Sequence, residues 1–271
     1  MTTAQKIIKY CAIAFAIFLI VSIVSGILGA VSGVSYMLGG KTTVTEMETY
    51  PITSSVKELK IELSAAKLRL KTGDRFQLES NHKYLEWEEK DGCLSIWDDA
   101  PSFGKDMDKI QVTLTIPKGT EFRSADISTG AGTFTVDELS ARRLRLDLGA
   151  GEVKIESLSA SSSAVINGGA GEITIDGGSL NNLDFDMGVG EVNLTSRITG
   201  DCELDYGVGE LNLTLLGKQD DYRIRLDKGL GEARLDGQKM YDDAVYGNGM
   251  NTIEIDGGVG ELKIEFHTDI Q

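Results

Sequence analysis

The chain has 271 residues, 41% of them hydrophobic, with 32 glycines, 3 prolines and only 7% aromatics. That mix suits many short strands joined by tight turns and argues against a helical bundle. A formal net charge of −15 argues against nucleic acid and anionic lipid headgroups, which require a basic face, and leaves cations and neutral or basic polymers as partners. Cys11, Cys93 and Cys202 show no C-x-x-C spacing, and His82 and His267 are the only histidines, so no disulfide framework, zinc site or catalytic triad is expected.

The first element is apolar. No charged residue lies between Tyr10 and Gly40, a run longer than the roughly 20 residues that cross a bilayer as a helix. Lys6 and Lys9 precede it and the first acid afterwards is Glu46, so the positive-inside rule puts the N-terminus in the cytoplasm. The expected organisation is a cytoplasmic segment 1–9, a transmembrane anchor 10–36, a linker 37–55 and an extracytoplasmic domain 56–271. A cleaved signal peptide is the rival, with Ala30-Val31-Ser32 before Gly33, but the run exceeds the roughly 7 to 15 residues of a signal core. Ser22, Gly26, Gly29 and Gly33 are spaced to let two helices approach closely.

Beyond the anchor the chain repeats itself. A weak copy, LKIELSAAKLRL from Leu59, keeps only the apolar pattern. An insertion from about Leu78 to Ile110 follows, and its YLEWEEKDGCLSIW reads as a hairpin turning at Asp91-Gly92 with Trp87 and Trp97 on its arms. After the lead-in IQVTLTIPKGTEF, residues 110 to 122, comes ADISTGAGTFTV from Ala125, which keeps the glycines but has Thr133 in place of the glutamate. Then six copies align without a gap: LRLDLGAGEVKI from Leu144, AVINGGAGEITI from Ala164, LDFDMGVGEVNL from Leu183, CELDYGVGELNL from Cys202, IRLDKGLGEARL from Ile224 and IEIDGGVGELKI from Ile253. A second insertion, residues 236 to 250 with Tyr241 and Tyr246, separates the last two.

Most copies recur every 19 or 20 residues, with longer insertions before Ile224 and Ile253, and rungs that short with period-2 alternation are strands and not helix pairs. Leu144/Leu146, Ala164/Ile166, Leu183/Phe185, Cys202/Leu204, Ile224/Leu226 and Ile253/Ile255 are expected to point inward on one arm. Val153/Ile155, Ile173/Ile175, Val192/Leu194, Leu211/Leu213, Ala233/Leu235 and Leu262/Ile264 do so on the next, and Leu139, Leu158, Leu180 and Ile198 supply a third side. Between the arms Gly149, Gly169, Gly188, Gly207, Gly229 and Gly258 mark the corner, each followed by a small or aliphatic residue and a second glycine, as a positive-φ turn without β-carbons requires. The expected fold is all-β, a parallel β-helix or solenoid of about eight rungs preceded by one transmembrane helix.

The repeated G-x-G-E-[VIL]-x-[IL] corners together with the 110–122 lead-in resemble the bacterial cell-envelope domain family labelled "putative adhesin", a membrane-anchored domain of unknown function. The likeness runs from about Leu59 to Phe266. It implies a β-solenoid on the outer face of the membrane, sometimes alongside envelope-stress regulators, and no known catalytic residue.

Stacking puts Asp147, Asn167, Asp186, Asp205, Asp227 and Asp256 in one column and Glu152, Glu172, Glu191, Glu210, Glu232 and Glu261 in a second, with neighbours about 4.8 Å apart. Such a carboxylate pair repels by roughly 0.9 kcal/mol in water and roughly 3.5 kcal/mol at an effective dielectric of 20. In one reading these acids are structural, capping corners and pairing with nearby bases. In the other they are a ladder of oxygen sites for Ca²⁺. Paired acids also occur in glycosidases, but acids repeated in every rung do not single out an active pair. Trp87, Trp97, Tyr241 and Tyr246 are the candidate contacts to a glycan or an envelope protein; for Trp87 and Trp97 the other reading is a cover over the open end of the solenoid. The leading functional expectation is a non-enzymatic, membrane-tethered envelope protein that binds through its solenoid. An accessory sensor of envelope stress and a polysaccharide-active enzyme are the alternatives.

Overall fold

A strand that alternates apolar and polar residues buries one face and needs a partner layer. A chain of such arms joined by glycine corners meets that need by winding around its own core. The computed structural model of the protein describes residues 44–53, 55–98 and 107–268. The expected anchor at 10–36 lies outside the described residues, among which no helix is long and apolar enough to cross a membrane.

Fifteen strands form one continuous sheet: β1 Val44–Pro51, β2 Glu58–Gly73, β3 Gln77–His82, β4 Leu85–Lys90, β5 Cys93–Asp98, β6 Gln111–Pro117, β7 Glu121–Ile175, β8 Gly178–Asn181, β9 Leu183–Thr199, β10 Asp201–Leu216, β11 Tyr222–Asp227, β12 Leu230–Leu235, β13 Gln238–Lys239, β14 Ala244–Tyr246 and β15 Asn251–His267. The chain is all-β and solenoid-like. Pairing runs unbroken through the corners, so that β7 alone carries three rungs, and β9, β10 and β15 carry one each.

The inward columns lie where the alternation puts them. All 24 predicted inward residues of the two arms are buried, as are Leu139, Leu158, Leu180 and Ile198 on the third side, and together they form a single core. Each fully buried Leu, Ile or Val stabilises the stack by about 1.5–3 kcal/mol. The third side holds two columns and not one. Leu158 is level with Gly178, while Leu180 is level with Ala160 and Ile198.

The corners use their two glycines differently. Positive φ falls on the second of each pair, from +134° at Gly132 to +156° at Gly260, a region in which a β-carbon is strained. The first glycine is needed for a steric reason: a β-carbon at Gly207 would strike the carbonyl oxygen of Gly188 in the rung beside it, and one at Gly188 would strike that of Gly169.

The rungs do not stack in chain order. β15 lies between β10 and the β11–β12 rung, with Cys202 paired to Ile253 and Ile253 to Ile224. At the other end β2 lies between β7 and a rung whose arms are β5 and β6, with Leu59 level with both Ala125 and Leu94, and Leu68 level with both Phe134 and Val112. The lead-in around β6 is therefore half of an additional rung. The first and last repeats of the sequence are each buried one layer inside the stack.

The two insertions close the ends with antiparallel strands. β4 pairs β5 through a two-residue turn in which Asp91 and Gly92 have φ of +52° and +80°, the backbone an I′ hairpin demands. β3 pairs β6 and β1 pairs β3. At the opposite end β14 pairs β11 and β13 pairs β12. Short antiparallel covers of this kind keep the parallel edges from recruiting other chains.

Candidate functional site: an acidic face on three adjacent rungs

The outward positions of the first arm carry the charge. Two residues apart on each strand, β9 presents Asp184 and Asp186, β10 presents Glu203 and Asp205, and β15 presents Glu254 and Asp256, with each acid level with its counterpart on the next strand. Six carboxylates thus form a grid three strands wide. Its neighbours are less acidic: Val165 and Asn167 lie level with Asp184 and Asp186 on one side, and Arg225 and Asp227 with Glu254 and Asp256 on the other. Chain-order stacking would have set Arg225 beside Glu203. Insertion of β15 makes the acidic stretch continuous.

Asp205 sits at the centre. Its Oδ1 is buried with no hydrogen-bond partner. Burial first, then the charges of Asp256, Asp186, Glu203 and Asp184, push its carboxyl above the ordinary 3.8. Oxygens of Glu203, Asp205 and Asp256 lie within 4.8 Å of one another, close enough for a hard cation such as Ca²⁺ to take all three. A groove across the three strands is lined by Asp186, Asp205 and Asp256 together with Gly188, Gly207 and Gly258.

Elsewhere in the column the acids are paired or exposed. Asp147 accepts hydrogen bonds from Arg145 at 2.8 and 3.0 Å and from Asn167 Nδ2 at 2.5 Å. Burial works to raise its carboxyl, but those two donors outweigh it and hold it below the ordinary value. Asp227 ends β11 and is exposed. The second column, in spatial order Glu152, Glu172, Glu191, Glu210, Glu261 and Glu232, is exposed throughout. It is interleaved with bases and amides. Lys263 lies 3.7 Å from Glu261 and 4.0 Å from Glu210, Arg234 lies 3.0 Å from Glu232, and Asn193 donates to Glu191 at 2.9 Å. The two predicted ladders thus differ: the second is exposed throughout, whereas the centre of the Asp column holds a buried carboxylate oxygen with no hydrogen-bond partner.

The aromatic candidates sit on the two end covers, far apart along the stack. Trp87 packs partly buried against the core and Tyr50, ring centroids 6.0 Å apart, while Trp97 is half-buried opposite Glu62. At the other end Tyr241 is 66% exposed with Lys239 over its ring, and Tyr246 packs on the core and accepts the Tyr241 N–H at 2.6 Å.

Sequence reasoning missed a buried polar cluster under the N-terminal cover. Asp98 accepts from the Ser64 amide at 2.9 Å and hydroxyl at 2.8 Å, and its other neighbour is His82 Nε2 at 3.7 Å. The His82 and Asp98 side chains are 0% and 3% exposed. Burial raises the Asp98 carboxyl, yet the contacts with His82 and Ser64 overcome it and leave it below the ordinary value. Ser64-Ala65-Ala66 replaces G-x-G at this corner, and that departure was the available signal.

A family profile described as Toastrack DUF4097 matches residues 56–246. The chain belongs to the Toastrack DUF4097 family. The description names no reaction, and the resemblance to the envelope domain family carried by the G-x-G-E corners agrees with it. No curated protein matches this Toastrack chain. Solved structures to which it is similar include a "putative cell adhesion protein" from Clostridium sporogenes (15% identity, 82% of this chain and 99% of that one, TM-score 0.38), a "putative adhesin" from Bacteroides fragilis (14%, 83% and 100%, 0.39) and a "putative lipid binding protein" from Parabacteroides distasonis (14%, 83% and 98%, 0.41).

Proposed function

We propose that this Toastrack chain is a non-enzymatic cell-envelope protein, anchored through residues 10–36, whose solenoid binds a cationic ligand on the face formed by β9, β10 and β15. The observation that carries the reading is the six-carboxylate grid with Asp205 at its centre. A cation placed there relieves repulsion that the fold itself imposes. The anchor rests on the charge-free run of the sequence, and an extracytoplasmic setting follows from the lysines before it.

The simplest representative of the ligand is Ca²⁺ held by Glu203, Asp205 and Asp256, and the alternative is a basic peptide or polyamine laid along the grid. Thermal unfolding in chelator, in millimolar Ca²⁺ and in millimolar spermine separates them. Stabilisation by Ca²⁺ alone identifies a metal site, and stabilisation by both cations identifies a general cationic face. Superimposable melts in all three would remove the proposal.

A further inference from the structure

β15 reaches its place out of chain order. The next repeat after β10 is β11–β12, which matches β10 position for position, yet β15 stands between them in equivalent register on both sides: Cys202, Ile253 and Ile224 are level on the first arm, and Leu211, Leu262 and Ala233 on the second. Withdrawing β15 leaves two edges that fit each other, with Ile224 free to meet Cys202 and Glu232 to meet Glu210. Withdrawal breaks two interfaces and restacking restores one. The net loss is that of a single edge rung, as in other stacked-repeat folds.

The seam that would open is also the one where charge opposes the pairing. Glu254 is level with Glu203, and Asp256 with Asp205. Restacking would replace the first of these pairs by Arg225 beside Glu203 and set Asp227 in the place of Asp256 beside Asp205. On the second arm Lys263 reaches Glu210, so the repulsion is confined to the first. The segment joining β14 to β15 holds Gly247 at φ +79° and leaves Met250 95% exposed, tied to β11 through the Gly249 N–H donating to the Tyr222 carbonyl at 3.0 Å.

We propose that β15 is an exchangeable rung, and that the slot between β10 and the β11–β12 rung accepts the β15 of a second copy of this chain. In the swapped pair every backbone pairing and the buried Ile253, Ile255, Leu262 and Ile264 are reproduced, which is the general basis on which protomers trade an identical element. The inference does not depend on what the acidic face binds. A cation held between Glu203, Asp205 and Asp256 would pin β15 to β10 and slow the exchange.

Cys202 makes a built-in reporter, because Ile253 lies directly opposite it. In the full chain with Cys11→Ser and Cys93→Ser, Ile253→Cys is oxidised after incubation at high and at low protein concentration. The expected result is a disulfide between Cys202 and the introduced thiol within monomers at high dilution, and a rising fraction of covalent dimer at high concentration, reduced several-fold when high salt is present during incubation. A second pair on the other arm, Leu211→Cys with Leu262→Cys in a chain lacking the native cysteines, gives the same reading should the first variant fail to fold. Cross-links confined to monomers at every concentration in both pairs would overturn the proposal. No cross-link in folded protein would overturn the strand order beneath it.

Discussion

Replacing Asp205 by Asn keeps the shape of the side chain and removes its charge from the centre of the grid. With rungs about 4.8 Å apart, Asp186 and Asp256 each repel Asp205 by about 0.9 kcal/mol at the dielectric of water and about 3.5 kcal/mol at 20. Both neighbours are exposed, so solvent screening puts the combined relief near the low end, about 1–3 kcal/mol at low salt. The column already contains the arrangement, since Asn167 donates to Asp147 from the equivalent position. The sign with pH follows from linkage. The Asp205 carboxyl is raised above 3.8 in the folded state, so folding gains from its protonation below that value and loses the gain as pH rises through the raised one. Urea unfolding without divalent cations should therefore show Asp205→Asn more stable than the native chain at neutral pH. The difference should shrink toward pH 4, and again in about 1 M salt, where the Debye length is about 3 Å. A less stable variant, or a gain indifferent to salt, would refute the account of Asp205 as electrostatically strained.

Two further outcomes are expected. Gly190→Ala forces a β-carbon at φ +146° against the carbonyl of Gly171 and should cost about 2–4 kcal/mol in chemical denaturation; an unchanged midpoint would mean that the corner relaxes. Asp98→Asn should lose about 1–3 kcal/mol at neutral pH. Because the Asp98 carboxyl is lowered, its contribution is present above the ordinary 3.8 and disappears as pH falls through the lowered folded value. The variant's stability should therefore be flatter than the native chain's across the acid limb of a pH series followed by circular dichroism.

The arms of the solenoid were legible in the sequence because burial there is a matter of alternation. Leu204 or Ile255 can only face inward if Glu203 and Glu254 face water. The order of the rungs was not legible for the same reason. A repeat that fits one neighbour fits every neighbour, so nothing in Ile224–Leu235 says that it belongs one layer further out than Ile253–Ile264. The acidic grid depended on that order and stayed hidden with it. The rung of β5 and β6 was missed because its arms are not joined by a G-x-G corner, and β6 read only as a lead-in. The Asp98 cluster joins Ser64, His82 and Asp98 from three different strands, a proximity that pattern alone does not encode. The proposed anchoring and the proposed cation binding rest on separate grounds, the first on an apolar run and the second on geometry.

The placing of β2 one layer inside the stack bears on how the domain answers to force. A tension entering at Val44 first meets β1, an antiparallel edge strand paired on one side to β3, which can be peeled one hydrogen bond at a time. Past Val56 it reaches β2, gripped by β5 and β6 on one flank and β7 on the other. Here pulling along the strand must shear two ladders together. A domain tethered at this end would yield a short length of slack and then lock, its rungs shielded from unravelling by the first of them.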